Sequence, residues 1–316
     1  MEIRKDYIED KWVIINPARG KRPHEFVQEP TPQHDTAVCS FCPGNEKLAP
    51  PEIGRISAPD GKWRMRWFEN KFAFVKLEGN PIVKTDNTYF TFSSAYGKQE
   101  VIVETDDHSK QLWDLDEADV KQLFEIYKMR IEELSKMPNI NYVSVFKNHG
   151  KAAGTSLLHS HSQIVAYNIL PNKIGKLIKR VEEFSHCPYC DILNVEKRSY
   201  RRVWEDNNFV AFCPYASRFS YEVWVFPKRH VSKLAQLSEE EMWSLSKAMK
   251  YLLVKLKSIN AEFNYFLNYS PFTEDFHFHI RINPRFSIWA GFEWSTDCVI
   301  NSVPPEDAAK FYRGEM

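Results

Sequence analysis

The chain has 316 residues, 43% hydrophobic and 27% charged, with Lys plus Arg equal to Asp plus Glu at 42 each. That balance excludes a bulk electrostatic footprint for nucleic acid or an anionic membrane, though a local basic pocket for a small phosphorylated substrate is compatible with it. The length fits about two domains. No apolar run approaches the roughly 18 residues of a membrane helix, and Met1-Glu-Ile-Arg-Lys-Asp6 has no apolar core of a secretory signal, so a soluble cytoplasmic protein is expected.

In chain order, the first chemistry-bearing element is Cys39-Ser-Phe41-Cys42. A strand-like piece, Glu69-Asn-Lys-Phe-Ala-Phe-Val75, precedes an alternating strand that starts at Glu100 and is followed by His108, eight residues after that Glu. Residues 116–136 then place Val120, Leu123, Phe124, Tyr127, Ile131 and Leu134 at helical spacing behind Asp116 as a capping residue. A strand from Asn141-Tyr142, a glycine-bearing loop Asn148-His-Gly150-Lys-Ala-Ala-Gly154-Thr-Ser156, and His159-Ser-His161-Ser-Gln163 complete the series.

After a connection at 168–186, the same series returns. Cys187-Pro-Tyr-Cys190 is followed by the strand-like Glu205-Asp-Asn-Asn-Phe-Val-Ala-Phe212, by Glu222 with His230 eight residues on, and by a second amphipathic helix over 238–258. Then come Asn264-Tyr265 and His277-Phe-His279. The order predicts a duplicated α+β fold, each half an antiparallel sheet with one long helix, with domains at 1–170 and 171–316.

Each half therefore supplies two thiols, a middle histidine and a His-x-His pair. C-x-x-C lets two sulfurs share one ion from a tight turn, and tetrahedral zinc takes four nitrogen and sulfur ligands. The first set is Cys39, Cys42, His108 and one histidine of the His159/His161 pair; the repeat matches His159 to His277 as ligand and His161 to His279. The second set is Cys187, Cys190, His230 and His277. Residues two apart on a strand face one side, so one histidine can bind metal while its neighbour points into the cleft. A neutral imidazole is a strong nitrogen nucleophile near neutral pH and leaves well once reprotonated, which makes His161 the candidate nucleophile. The loop before it can offer backbone and hydroxyl donors to phosphate oxygens, or be a plain turn.

Cys39-x-x-Cys42-Pro-Gly-Asn45, Asn148-x-Gly150 through Gly154-x-Ser156, and His159-x-His161-x-Gln163 together resemble the galactose-1-phosphate uridylyltransferase branch of the histidine-triad superfamily. The resemblance implies two tandem histidine-triad-like domains, with one extended half-barrel sheet as an option. It implies that His161 attacks the α-phosphorus of a nucleotide sugar in ping-pong transfer, with Gln163 bonding the phosphoryl group. By the same matching, Asn148, Gly154 and Ser156 belong to the phosphate loop, Asn70 to the ribose or base, and Glu293 to sugar hydroxyls. Phe41 is read as a base contact or a core ring. Arg19 and Arg22 resemble phosphate-contacting arginines that can reach across a homodimer. The implied cofactors are two structural zinc ions, and the implied partners a nucleotide sugar and a sugar 1-phosphate.

The chain also departs from the uridylyltransferase wording. Leu158 and Ser160 stand where His-Pro-His-Pro has prolines, and no glutamine follows Glu293 in Trp294–Asn301. That wording is nearer to ADP-glucose phosphorylase. The expected reaction is thus UDP-glucose with galactose 1-phosphate, with a nucleotide-sugar phosphorylase as the alternative. A zinc-stapled nucleotide-binding module without turnover is the reading from another class.

Overall fold

The computed structural model describes residues 1–21 and 39–316; Arg22 lies outside the described residues. The described residues form two compact units, one of 1–21, 148–156 and 173–316, the other of 39–147 and 157–172. The sequence boundary at 170 lies near one of these joints. The pieces at 1–21 and 148–156 cluster with the later residues.

In the unit that carries His161, five antiparallel strands run in the order Tyr142–His149, His161–Tyr167, Gly97–Val103, Trp63–Glu69, Glu52–Ser57. Alternation along these strands sends one face to helix Glu117–Leu134. That helix starts where Asp116 accepts from Asp119 N at 2.8 Å, and it buries Val120, Leu123, Phe124, Ile126, Tyr127 and Leu134. Its Arg130 is also buried, because Glu100 at the strand below takes Nε and Nη2 at 2.8 Å each. The repeated Glu of the sequence is thus a helix-to-sheet tie in this half. The strand expected over Glu69–Val75 is displaced: the strand is Trp63–Glu69, and Asn70 Oδ1 accepts from Phe72 N at 2.9 Å. That short-range bond turns the chain and leaves Phe72 and Phe74 exposed, so their alternation was not a buried face.

Gly97 faces Tyr167 across the sheet, where an added Cβ would lie 2.0 Å from the carbonyl oxygen of Ala166. Backbone cannot yield as a side-chain tip can. Gly97→Ala is therefore expected to lower unfolding free energy by about 2 kcal/mol or more in a urea titration.

The other unit repeats the plan with strands Arg202–Glu205, Phe209–Phe212, Val223–Pro227, His279–Pro284 and Phe263–Asn268, all antiparallel. Helix Glu239–Ser258 starts in a capping box of Ser238 and Glu241. A small sheet joins the N-terminal hairpin Glu2–Lys5 and Trp12–Ile15 to Val299–Asn301. Among the described residues no helix is long and apolar enough to cross a membrane.

The hairpin is held down by an ion pair. Glu9 Oε1 accepts from Arg281 Nη1 at 2.8 Å, with both side chains buried. Burial alone would raise the Glu9 carboxyl, but Arg281, with Lys173 and Lys11, holds it down to about 2. A depressed carboxyl contributes stability above its unfolded value near 4.5 that is lost as pH falls toward 2. The stability gap between wild type and Glu9→Gln should shift against wild type over that window, by on the order of 3 kcal/mol. Urea unfolding at stepped pH checks it; a gap constant with pH would contradict the pairing.

Candidate active site and metal centres

Both C-x-x-C pairs sit in tight turns, with Cys42 N donating to Cys39 O at 3.2 Å and Cys190 N to Cys187 O at 3.1 Å. The first turn is held from behind by Arg66. Its buried guanidinium lies 5.0 Å from the Trp63 and Phe68 ring centres and donates to Ser40 O at 2.9 Å. Asn45 Nδ2 closes the turn on Cys39 O at 2.9 Å. Cys39, Cys42, His108 and His159 then bring one ligand atom each to within 4.8 Å of one another.

The spacings suit a small tetrahedral cation. Cys39 Sγ to His159 Nδ1 is 3.7 Å, Cys42 Sγ to His159 Nδ1 is 3.6 Å and Cys42 Sγ to His108 Nδ1 is 3.3 Å. The edge of a zinc tetrahedron with sulfur and nitrogen corners is about 3.5 Å. The tautomer fits too. His159 Nε2 donates to Thr105 O at 2.7 Å, which leaves Nδ1 as the lone-pair nitrogen on the sulfur side. Burial pushes the His159 imidazole down to about 4, so it is neutral, while burial and the neighbouring Cys39 push the Cys42 thiol up to about 11. A divalent cation would reverse the second effect by ionising the thiol.

The second group, Cys187, Cys190, His230 and His277, meets the same distance criterion. His277 Nε2 donates to Pro227 O at 3.0 Å and His230 Nε2 to Glu274 O at 2.6 Å, so again both Nδ1 atoms are turned to sulfur. Cys190 Sγ stands 3.3 Å from His230 and 3.6 Å from His277. His230 is exposed, where the first group is almost wholly buried.

His161 opens its strand; His159 lies just before it and not within it, because it turns to meet the sulfurs. The imidazoles still share a side, with Phe41 6.2 Å from His159 and 5.3 Å from His161. A carbonyl can only accept, so the 2.8 Å contact of His161 Nδ1 with His159 O puts the proton on Nδ1 and the lone pair on Nε2. Burial, then the charge of Lys147, lowers the His161 pKa and keeps the ring neutral. Gln163 lies two residues on, its carboxamide oxygen taken by Gln99 Nε2 at 2.8 Å, which leaves its NH2 as the donor end. Gln99 is fixed in turn by Phe74 N at 3.1 Å. The result is an oriented neutral imidazole with an amide donor along the same strand.

A family model described as galactose-1-phosphate uridyl transferase, N-terminal domain, matches residues 2–171, and a domain of unknown function, DUF4921, matches 101–311. The chain belongs to the galactose-1-phosphate uridylyltransferase family. It is similar to ADP-glucose phosphorylase of Arabidopsis thaliana, 34% identical over 99% of this chain and 92% of that protein. It is equally similar to galactose-1-phosphate uridylyltransferase of Thermotoga maritima, at 34% over 99% of this chain and 98% of that one. Among solved structures, an ADP-glucose phosphorylase from Arabidopsis thaliana with bound ADP-glucose superposes with a TM-score of 0.85 at 31% identity, covering 99% of this chain and 98% of that one. A uridylyltransferase does so at 0.76 and 26%, with coverage of 99% and 98%. As a member of the uridylyltransferase family the chain is an enzyme of the nucleotidyltransferase class.

The other family positions are distributed as follows. Asn70 borders a cavity of about 370 Å³ that Lys71, Lys76, Lys98 and Gln99 also line. Phe41 is buried against Phe68, its ring 5.6 Å away, as well as facing His161. Asn148 Oδ1 accepts from Asn264 Nδ2 at 2.9 Å. The loop reaches Gly154 through positive φ at Gly150 and Gly154, and two of its N–H groups, on Lys151 and Ala152, donate to the Glu262 carboxylate at 2.9 and 2.5 Å. These two donors of the loop are thus taken by a side chain of the protein itself. Ser156 is exposed at the end of this loop. Glu293 is buried and accepts from Ala290 N at 2.9 Å, capping helix Gly291–Thr296. Arg19 is exposed on the short turn Pro17–Lys21. Sequence reasoning missed Gln99, Thr105, Arg66 and Lys147, which lie outside the motifs and touch it only in three dimensions.

Proposed function

We propose that this enzyme moves a nucleotidyl group through a covalent bond to His161. The carrying observation is the imidazole held by His159 O on one nitrogen, with the lone pair on the other and no partner for it among the described residues. In the first half-reaction Nε2 bonds to the α-phosphorus of a nucleotide sugar, and the bond from that phosphorus to the bridging oxygen breaks. The hexose 1-phosphate leaves with that electron pair. The ring keeps its Nδ1 proton, so the positive charge it gains sits against the His159 carbonyl dipole. The Gln163 NH2, left free by the Gln99 bond to its oxygen, donates to the phosphoryl oxygens in this reading. In the second half-reaction an acceptor phosphate oxygen bonds to phosphorus, the P–N bond breaks, and neutral His161 returns.

UDP-glucose as donor and galactose 1-phosphate as acceptor is the first reading, supported by family membership. An ADP-glucose phosphorylase activity is the second; the higher TM-score of that relative and the Ser160 wording favour it. Asn148, Gly154, Ser156, Asn70, Glu293, Arg19 and Arg22 keep the substrate roles that the resemblance implies. The donor sets of the two Cys2His2 groups fit zinc, in a structural role, since four protein ligands leave no open position. A cytoplasmic homodimer is the expected form. Crossing UDP-glucose and ADP-glucose with galactose 1-phosphate and inorganic phosphate, followed by phosphorus NMR, tests the assignment. UDP-galactose formation supports the first reading; ADP released from ADP-glucose only with phosphate supports the second. No exchange in any pairing contradicts both.

A further inference from the structure

Behind the His161 strand, in the same compact unit, lies a charged group that no motif announced. Lys147 Nζ donates to Glu104 Oε2 at 2.6 Å, to Ser160 Oγ at 3.0 Å and to the backbone oxygen of His161 at 3.0 Å. Ser160 Oγ donates to the same Glu104 oxygen at 2.6 Å. The Lys147 and Glu104 side chains are 1% and 0% exposed. All three ammonium protons are used, and one of them ends on the peptide that carries the nucleophile.

A buried ion pair of this kind is a poor way to stabilise a fold, because desolvation costs several kcal/mol per ion. The chain itself shows that the fold does without it. In the second half the residue between the two histidines is Phe278 where the first half has Ser160, and the residue after the pair is Ile280 where the first half has Ser162. The strand partners of Ile280 are Val225 and Leu267. All four are buried and apolar. The same architecture is thus built twice, with an oily layer behind His279 and an ionic one behind His161.

The two histidines differ in one more respect. His279 also gives Nδ1 to a carbonyl, that of His277 at 2.9 Å, but its Nε2 is covered by Arg281 Nε at 3.1 Å. The half with the occupied nitrogen has the oily layer.

We propose that Lys147, Glu104 and Ser160 are positioning residues for His161. They fix the carbonyl of the nucleophile's own residue, while His159 O fixes its ring, so that backbone and imidazole are both anchored when Nε2 meets phosphorus. The proposal rests on the reading of His161 given above. Loss of the anchor moves the nitrogen, and a misplacement of about 1 Å costs on the order of 10²-fold in rate.

The test uses the full metal-loaded chain and the double variant Lys147→Met/Glu104→Gln, which removes both charges at nearly constant volume. The donor is whichever of UDP-glucose and ADP-glucose labels wild type. Attachment of nucleotide to His161 in a single turnover is expected to slow about 10- to 100-fold, with the donor concentration for half-maximal rate, metal content and melting temperature nearly unchanged. Ser160→Ala, which removes only a hydroxyl, gives the same split with a smaller loss and serves if the double variant does not fold. A wild-type attachment rate in folded, metal-loaded variants overturns the proposal, as does a loss that follows metal loss or weaker donor binding. Absence of label on His161 in wild type overturns the nucleophile reading itself, and the positioning role with it.

Discussion

Replacing His161 with alanine is expected to reduce nucleotidyl transfer by at least about 10⁴-fold while leaving both metal groups loaded. The size follows from the role: with no Nε2 there is no covalent intermediate, and among the described residues of this unit no other imidazole can substitute. His159 Nδ1 faces Cys39 and Cys42, and its Nε2 is spent on Thr105 O. His108 Nδ1 stands at Cys42 Sγ. The structural cost is modest by comparison. The variant loses a buried ring against Phe41 and leaves His159 O without its donor, which together cost about 1–3 kcal/mol. Steady-state transfer assays with zinc analysis on the same sample separate the two effects. A variant that transfers at a tenth of the wild-type rate would contradict the role.

Breaking the first metal group should have the second-largest effect. Cys39→Ser or His159→Ala removes one donor from a largely buried set whose four ligand atoms lie within 4.8 Å of one another. A cation bound there would tie the set together, so stability should fall by about 3 kcal/mol or more and the melting temperature by roughly 6–12 °C. Transfer should fall as well, since loosening this group frees the backbone whose carbonyl, at residue 159, orients His161. The two groups should also differ under a chelator. His230 is exposed, so the Cys187 group should empty first, with metal content passing through half its starting value before activity declines. Simultaneous loss of both would contradict the difference in burial.

Much of this was legible because duplication leaves a period. The two C-x-x-C pairs, the middle histidines and the His-x-His pairs recur in order, and tetrahedral coordination then assigns ligands without coordinates. The helices Glu117–Leu134 and Glu239–Ser258 were visible from their apolar spacing and their caps, Asp116 and Ser238. What stayed hidden depends on register between strands distant in sequence. Glu104 and Lys147 meet across the strand of His161, and Gln99 reaches Gln163 across a neighbouring one. No local pattern encodes such pairs, since a buried Lys and a surface Lys look alike on the page. The strand expected over Glu69–Val75 failed for a related reason. Its alternation matched period two, but Asn70 spends its side chain on a turn, and that local bond decided the path. The loop at 148–156 was legible as a run of backbone donors; that two of them are taken by Glu262 was not.

The central claim is a covalent nucleotide on His161, and the most direct test is the mass of the protein itself. Wild-type chain mixed with UDP-glucose or ADP-glucose without acceptor, quenched under alkaline denaturing conditions, should gain one nucleoside monophosphate. Peptide mapping should put it on His161, and added acceptor should remove it at the rate of turnover. Turnover without any such adduct, or an adduct on a different residue, would contradict the account.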